Sequence, residues 1–205
     1  MDFSHNDKTK ALLEKLDNFI AEHIAPIENE VYNFHHKENN HSDWKSWKLH
    51  PGTEALKAKA REAGLANLFL PDAELGQGLT TLEYAPMAER MGKYLFAPEI
   101  FNCNAPDTGN MEVLYHFGND AQKEQWLTPL LEGEIRSVFG MTEPDVASSD
   151  ATNMASTIEQ EGDDLVINGK KWWISNILHP NCEILIVMGK TDTTASTYHQ
   201  QSMIV

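Results

Sequence analysis

The sequence predicts an α+β protein: a helical domain over residues 1–136, then an incomplete antiparallel, barrel-like β domain over residues 137–205. Three observations predict it. Apolar residues recur three and four apart through the first two thirds of the chain, the spacing of one helix face. Helix-start signals, Thr80 with Glu83 and Asn119 with Gln122, punctuate that region. From Arg136 onward the pattern becomes short β-prone runs separated by Gly, Asn and Asp. Helices gathered first and strands afterwards indicate segregated layers rather than alternating βα units.

The elements follow in order. Leu12, Leu13, Leu16, Phe19, Ile20, Ile24 and Ile27 share one helical face, with Lys15, Asp17 and Glu22 elsewhere. Residues 35–50, HHKENNHSDWKSWKLH, are polar and aperiodic and predict a loop. Thr53 as N-cap and Gly64 as C-cap bound the next helix. GLANLFLPDAELGQGLT then connects to a capping box at Thr80 and Glu83, whose helix ends near Gly92 and is expected to kink at Pro86. A helix over Asp107 to Phe117 stops at Gly118. Asn119 with Gln122 opens another, which carries Trp126, Leu127 and Leu130 and ends before Gly133.

The expected strands are RSVFGM, MASTIEQ, DLVING, KWWIS, EILIVMGK and SMIV. Asn168-Gly169 predicts a two-residue hairpin between DLVI and KKWWIS. The last run ends at Val205 with no breaker, which predicts more of the sheet beyond it and an unpaired strand edge at SMIV.

Composition excludes several classes. With 41% hydrophobic and 23% charged residues the chain is an ordinary globular one. Its net charge of −15 sets up a field that repels phosphate backbones, so nucleic acid is not the expected partner. Cys103 and Cys182 are the only cysteines, are far apart and predict free thiols in a reducing compartment. MDFSHNDKTK lacks the apolar core of a signal peptide, and ILIVM is too short for a transmembrane span. A cytoplasmic chain with no transmembrane segment is expected. His35, His36 and His41 lie in the polar stretch without a second ligand pair, so no metal site is expected. There is no G-x-G-x-x-G, Walker loop or G-x-S-x-G elbow.

Two stretches remain, FGMTEPDVASSD from Phe139 and INGKKWWISN from Ile167. Reducing a flavin puts negative charge at its N1–C2=O edge, and its N5 takes the hydride. A flavin site therefore aims donors at both positions and shields one face with an apolar group. Met141-Thr142 at a strand end and Trp173-Ile174-Ser175 offer that set. Ala147, Ser148 and Ser149 are small enough for backbone amides to approach a pyrophosphate. Taken singly, each residue fits ordinary packing better, since a Thr in a strand and a Trp in a core are everywhere. Glu143 and Asp145 could be paired acids, but a turn between strand and loop is the commoner use of such residues.

The two stretches together resemble motifs of the acyl-CoA dehydrogenase family, closest to its branch of members ten and eleven. The shared residues are Phe139, Thr142, Glu143, Pro144 and Ser149-Asp150, then Asn168, Gly169, Lys171, Trp173, Ile174, Ser175 and Asn176. FLPDAELGQGLT and FGNDAQKEQWLTPLLEGE extend the likeness over nearly the whole chain. The family's Gly-x-Gly-Ser-Asp is replaced by a loop one residue longer, so either Ser148 or Ser149 is the phosphate-facing hydroxyl, with Ser149 preferred.

The resemblance implies FAD as cofactor and α,β-dehydrogenation of an acyl-CoA thioester in fatty acid β-oxidation. It implies electron transfer to an electron-transfer flavoprotein or another acceptor, and a homo-oligomer. Thr142 and Ser175 would donate to the flavin, with Phe139, Met141 and Ile174 beside it and Trp173 over one face. Ser149 would sit between pyrophosphate and CoA. Asn104, Asp107, Thr108 and Met111 would approach the acyl chain, core packing being the ordinary role of Met111. The family's catalytic carboxylate lies beyond the matched region, so no catalytic residue is assigned and the chain is expected to be an inactive portion. A flavin monooxygenase or nitroalkane oxidase on the same fold, and a non-catalytic interaction module, are the alternatives.

Overall fold

The computed structural model describes residues 4–205, which divide into two compact units at Glu134/Ile135. In the first unit, Asn6 caps α1 (Asp7–Phe19) by accepting the Thr9 N–H at 2.8 Å. The helical path continues through a π-helical segment, Ile20–Ile24, and a 3₁₀ turn at Ala25–Ile27 into α2 (Glu28–Glu38). The predicted loop over 35–50 therefore starts later than expected. Buried Val31 anchors α2, and Phe34 packs edge-on against His50 at 5.3 Å. Both are tertiary contacts that periodicity does not register. Asn39 then closes the loop, its side chain pairing with both the N–H and the carbonyl of Lys48.

In α3 (Thr53–Glu62), Thr53 is the buried first helical residue and Gly52 is the cap, one position from the expectation. Gly64, at φ +65°, ends it as expected. The capping box of Thr80 and Glu83 opens α4 (Thr81–Met91), which runs unbroken through Pro86. The helices α5 (Ala97–Ile100) and α6 (Asp107–Phe117) follow, the latter stopped at Gly118. Asn119 and Gln122 form the second capping box, on α7 (Asp120–Gln122). A π-helical segment, Lys123–Leu127, leads from it to α8 (Thr128–Leu131). Leu16, Ile24, Leu65, Leu68, Met87 and Phe101 fill the core with essentially no exposure. Each buried apolar side chain of that size is worth about 1.5–3 kcal/mol relative to exposure.

The second unit is a sheet of β1 (Arg136–Gly140), β2 (Thr157–Glu161), β3 (Asp164–Asn168), β4 (Cys182–Lys190) and β5 (Gln201–Ile204). The order is β1-β4-β2-β3, with β5 also on β4. The expected purely antiparallel sheet is corrected to a mixed one. β1 runs parallel to β4, with Ser137 opposite Ile184 and Gly140 opposite Val187. β2 also meets β4 in parallel, whereas β2–β3 and β4–β5 are antiparallel. The long connection between β1 and β4 is what allows the same direction. Four of the five β1 residues are buried, the continuous burial of a parallel strand. Ser202, Met203 and Ile204 of SMIV lie in β5, opposite Gly189, Met188 and Val187.

Candidate functional site

β1 ends at Gly140, and Met141, Thr142 and Glu143 lead out of it. The segment after Lys170 runs beside them. Lys171 Nζ donates to Met141 O at 3.1 Å, the Trp172 N–H donates to Thr142 O at 3.0 Å, and Asn176 Nδ2 donates to Ser137 O at 3.3 Å. The two stretches singled out in the sequence are thus joined residue by residue.

Glu143 is the centre of this junction. Its carboxylate accepts the Ala155 N–H at 2.7 Å, the Ser156 N–H at 3.0 Å and Lys171 Nζ at 2.8 Å. Burial alone would raise its pKa. Lys171, Ser156 and Ala155 more than offset that and hold the carboxyl at about 2, below an ordinary 4.5. Sequence reasoning treated Glu143 as a turn residue and Lys171 as a motif letter. The available signal was that one motif carries an acid and the other a base.

KWWIS is not a strand, and Asn168-Gly169 is not a hairpin turn. The hairpin forms one element earlier, between β2 and β3, where Gly162 takes φ +66° and Glu161 pairs with Asp164. The 171–176 segment sends its donors to loop carbonyls and to Glu143, leaving no ladder to join, and Trp173 and Asn176 take left-handed φ of 53° and 69°. Gly169 serves a different purpose. A Cβ there would lie 2.0 Å from Ser156 Oγ and 2.9 Å from Ser156 Cα, so the two backbones approach too closely for any side chain. Because the Cα cannot swing away, Gly169→Ala is expected to destabilise the protein by about 1–3 kcal/mol. An unchanged urea midpoint would mean that residue 169 has room to shift.

The sequence-predicted residues are disposed as follows. Thr142 and Ser175 are exposed, and their hydroxyls bond to no other described residue. Phe139, Met141 and Ile174 are half-buried. Trp173 is 81% exposed. Ser148 is buried, its Oγ accepting the Glu143 N–H at 2.7 Å, so it braces the loop from within. Ser149 is exposed and has surface to offer a ligand. In the helical unit, Asp107 is buried and lies 3.4 Å from Asn104 Nδ2, and Met111 is fully buried. Thr108 is half-buried. Among the described residues no cluster of His, Cys, Asp or Glu could hold a metal, and no helix is long and apolar enough to cross a membrane.

The chemistry of this donor set fits a flavin. Two neutral hydroxyls are uncommitted, the Trp173 ring in the same segment as Ser175 stands in solvent, and the Lys171 charge is already matched by Glu143. A non-glycine residue held at positive φ with its indole exposed is the kind of outlier that marks functional sites.

Comparison with known proteins gives a consistent result. The acyl-CoA dehydrogenase N-terminal domain family matches residues 6–134 and the middle domain family matches 138–205. The chain is 52% identical over 204 residues to Acyl-CoA dehydrogenase family member 11 of Gallus gallus, covering 99% of this chain and 26% of that protein. A solved structure from Mycobacterium abscessus, itself assigned as an acyl-CoA dehydrogenase, is 52% identical with a TM-score of 0.92. That match covers 98% of this chain and 50% of the other. A glutaryl-CoA dehydrogenase from Mycobacterium smegmatis, solved in complex with FADH2, shares the fold at 20% identity and a TM-score of 0.61. It covers 92% of this chain and 44% of that one. The chain thus spans a quarter to a half of the length of these relatives.

Proposed function

The chain belongs to the acyl-CoA dehydrogenase family, and from that premise we propose that it carries the flavin-facing part of an FAD-dependent oxidoreductase that desaturates an acyl-CoA thioester between its α and β carbons. The observation that carries this reading is the junction of Thr142 with the exposed Trp173 segment. Bound FAD supplies the two-electron acceptor of the reaction.

The chain's own residues do the holding. Thr142 and Ser175 donate hydrogen bonds to the flavin's polar edge, where charge develops on reduction. Trp173, Met141 and Ile174 exclude water from a face of the ring. Ser149 contacts phosphate between the cofactor and CoA. A thioester makes the α proton acidic enough for a carboxylate base of raised pKa. In this unit Glu143 is held low by Lys171, and Asp150 is occupied in accepting from the Thr152 N–H and hydroxyl at 3.0 and 2.7 Å. Neither suits that role. Electrons pass on to an electron-transfer flavoprotein or another acceptor, and the working form is a homo-oligomer.

The test is a comparison of two threonines in the protein expressed from its entire reading frame. Thr142→Val is expected to weaken FAD binding or slow its reduction by about 1.5–3 kcal/mol, the worth of a hydrogen bond to a charged acceptor. Thr152→Val removes only the local bond to Asp150. Equal effects would remove the reason for choosing Thr142. Protein purified with FAD that shows neither flavin absorbance nor a thermal shift would overturn the reading. Anaerobic bleaching by acyl-CoA separates a dehydrogenase from an oxygen-using relative of the same fold.

A further inference from the structure

A buried ion pair is weak support for stability, because well-packed apolar residues of similar volume often serve as well. In the Glu143–Lys171 pair the carboxylate is buried and the lysine partly so, with side-chain exposures of 4% and 15%. What it fixes is registration. Glu143 follows Thr142 directly, and Lys171 stands two residues before Trp173. One ammonium ties Met141 O and Glu143 together, and the adjacent Trp172 N–H closes onto Thr142 O. The far side of Glu143 is fastened to the Ala155 and Ser156 amides, so the tie has a fixed anchor. Downstream, Trp173 sits at φ 53°, a conformation that a bulky residue keeps only when its surroundings over-determine it.

We propose that Glu143 and Lys171 are positioning residues, whose pairing sets the Thr142 loop against the Trp173 segment and thereby tunes flavin affinity. The proposal rests on the flavin reading above and adds two residues that touch no ligand.

The test uses the double variant Glu143→Gln/Lys171→Met in the protein expressed from its entire reading frame. Gln keeps the shape and one of the two acceptor oxygens that take the Ala155 and Ser156 amides, and Met keeps the apolar stem, so removing both charges together avoids leaving one charge buried and unpaired. FAD affinity is expected to fall at least tenfold, measured by flavin fluorescence titration. Amide hydrogen exchange at Trp172 is expected to quicken relative to that at Ile186 in the core of β4. The ratio cancels any global loss of stability. FAD binding within twofold of the parent would overturn the proposal. So would exchange that rises equally at Trp172 and Ile186, or at neither. If the parent itself binds no FAD, the flavin reading fails, and the exchange ratio alone decides whether the pair positions the two segments.

Discussion

Residues 1–205, loaded with FAD and mixed anaerobically with a panel of acyl-CoA esters, are expected to keep their flavin absorbance. Removing the α proton needs a carboxylate within hydrogen-bond reach of that carbon, and a positioned base contributes roughly 10²–10⁴-fold. Two acids of the candidate loop, Glu143 and Asp150, are committed elsewhere. Glu143 is buried against Lys171 and two backbone amides, and Asp150 caps the 3₁₀ turn at Ala151–Asn153. Bleaching at a rate near that of a complete family member would mean that a base exists within this chain. The first place to search would then be Asp145, exposed in the same loop.

The second large effect is on folding. Glu143→Ala leaves Lys171 without its counter-charge and the Ala155 and Ser156 amides without an acceptor. Breaking a buried pair from one side is expected to remove about 3–5 kcal/mol. For a protein of this size that lowers Tm by roughly 2–4 °C for each kcal/mol. A loss below about 1 kcal/mol would place the pair in the solvated class instead. The pH dependence has a definite sign. The folded pKa of about 2 lies below the ordinary 4.5, so the contribution is fully present above pH 4.5 and is lost as pH falls toward 2. A shift of that size corresponds to about 3 kcal/mol. Urea midpoints across this window should fall less steeply for Glu143→Gln than for the parent.

Much of the helical unit was legible because its signals are local. The capping boxes at Thr80–Glu83 and Asn119–Gln122 each lie within four residues, and both form as read. The later part of α2 was not legible, since Val31 and the Phe34–His50 contact hold it through distant partners. In the sheet unit the strand-forming runs were visible except for one false case. KWWIS has the alternation of a strand, but Lys171 is claimed by Glu143 and Met141, which lie far away in sequence. Strand direction was equally hidden, because nothing in β1 itself says whether β4 will arrive parallel or antiparallel. At the candidate site, Thr142, Ser149, Trp173 and Ser175 stand in their motifs and face solvent. The pair that holds them was not legible, because an acid in a turn and a lysine in a loop are individually unremarked.

The parallel pairing of β1 with β4 also has a consequence for synthesis. A ribosome releases Arg136–Gly140 well before Cys182–Lys190 exists, so β1 waits unpaired while the intervening chain is translated. At about 5–20 residues per second that wait is on the order of seconds. The β2–β3 hairpin, with its turn at Gly162, can close during the delay. Both stretches that build the candidate site lie within or beside this crossover. The partners of Thr142 and Glu143, at residues 155–172, emerge before β4, but the strand that carries them stays unpaired, and a nascent chain halted before Cys182 leaves Val138 and Phe139 without their β4 neighbours and open to chaperones or to other chains.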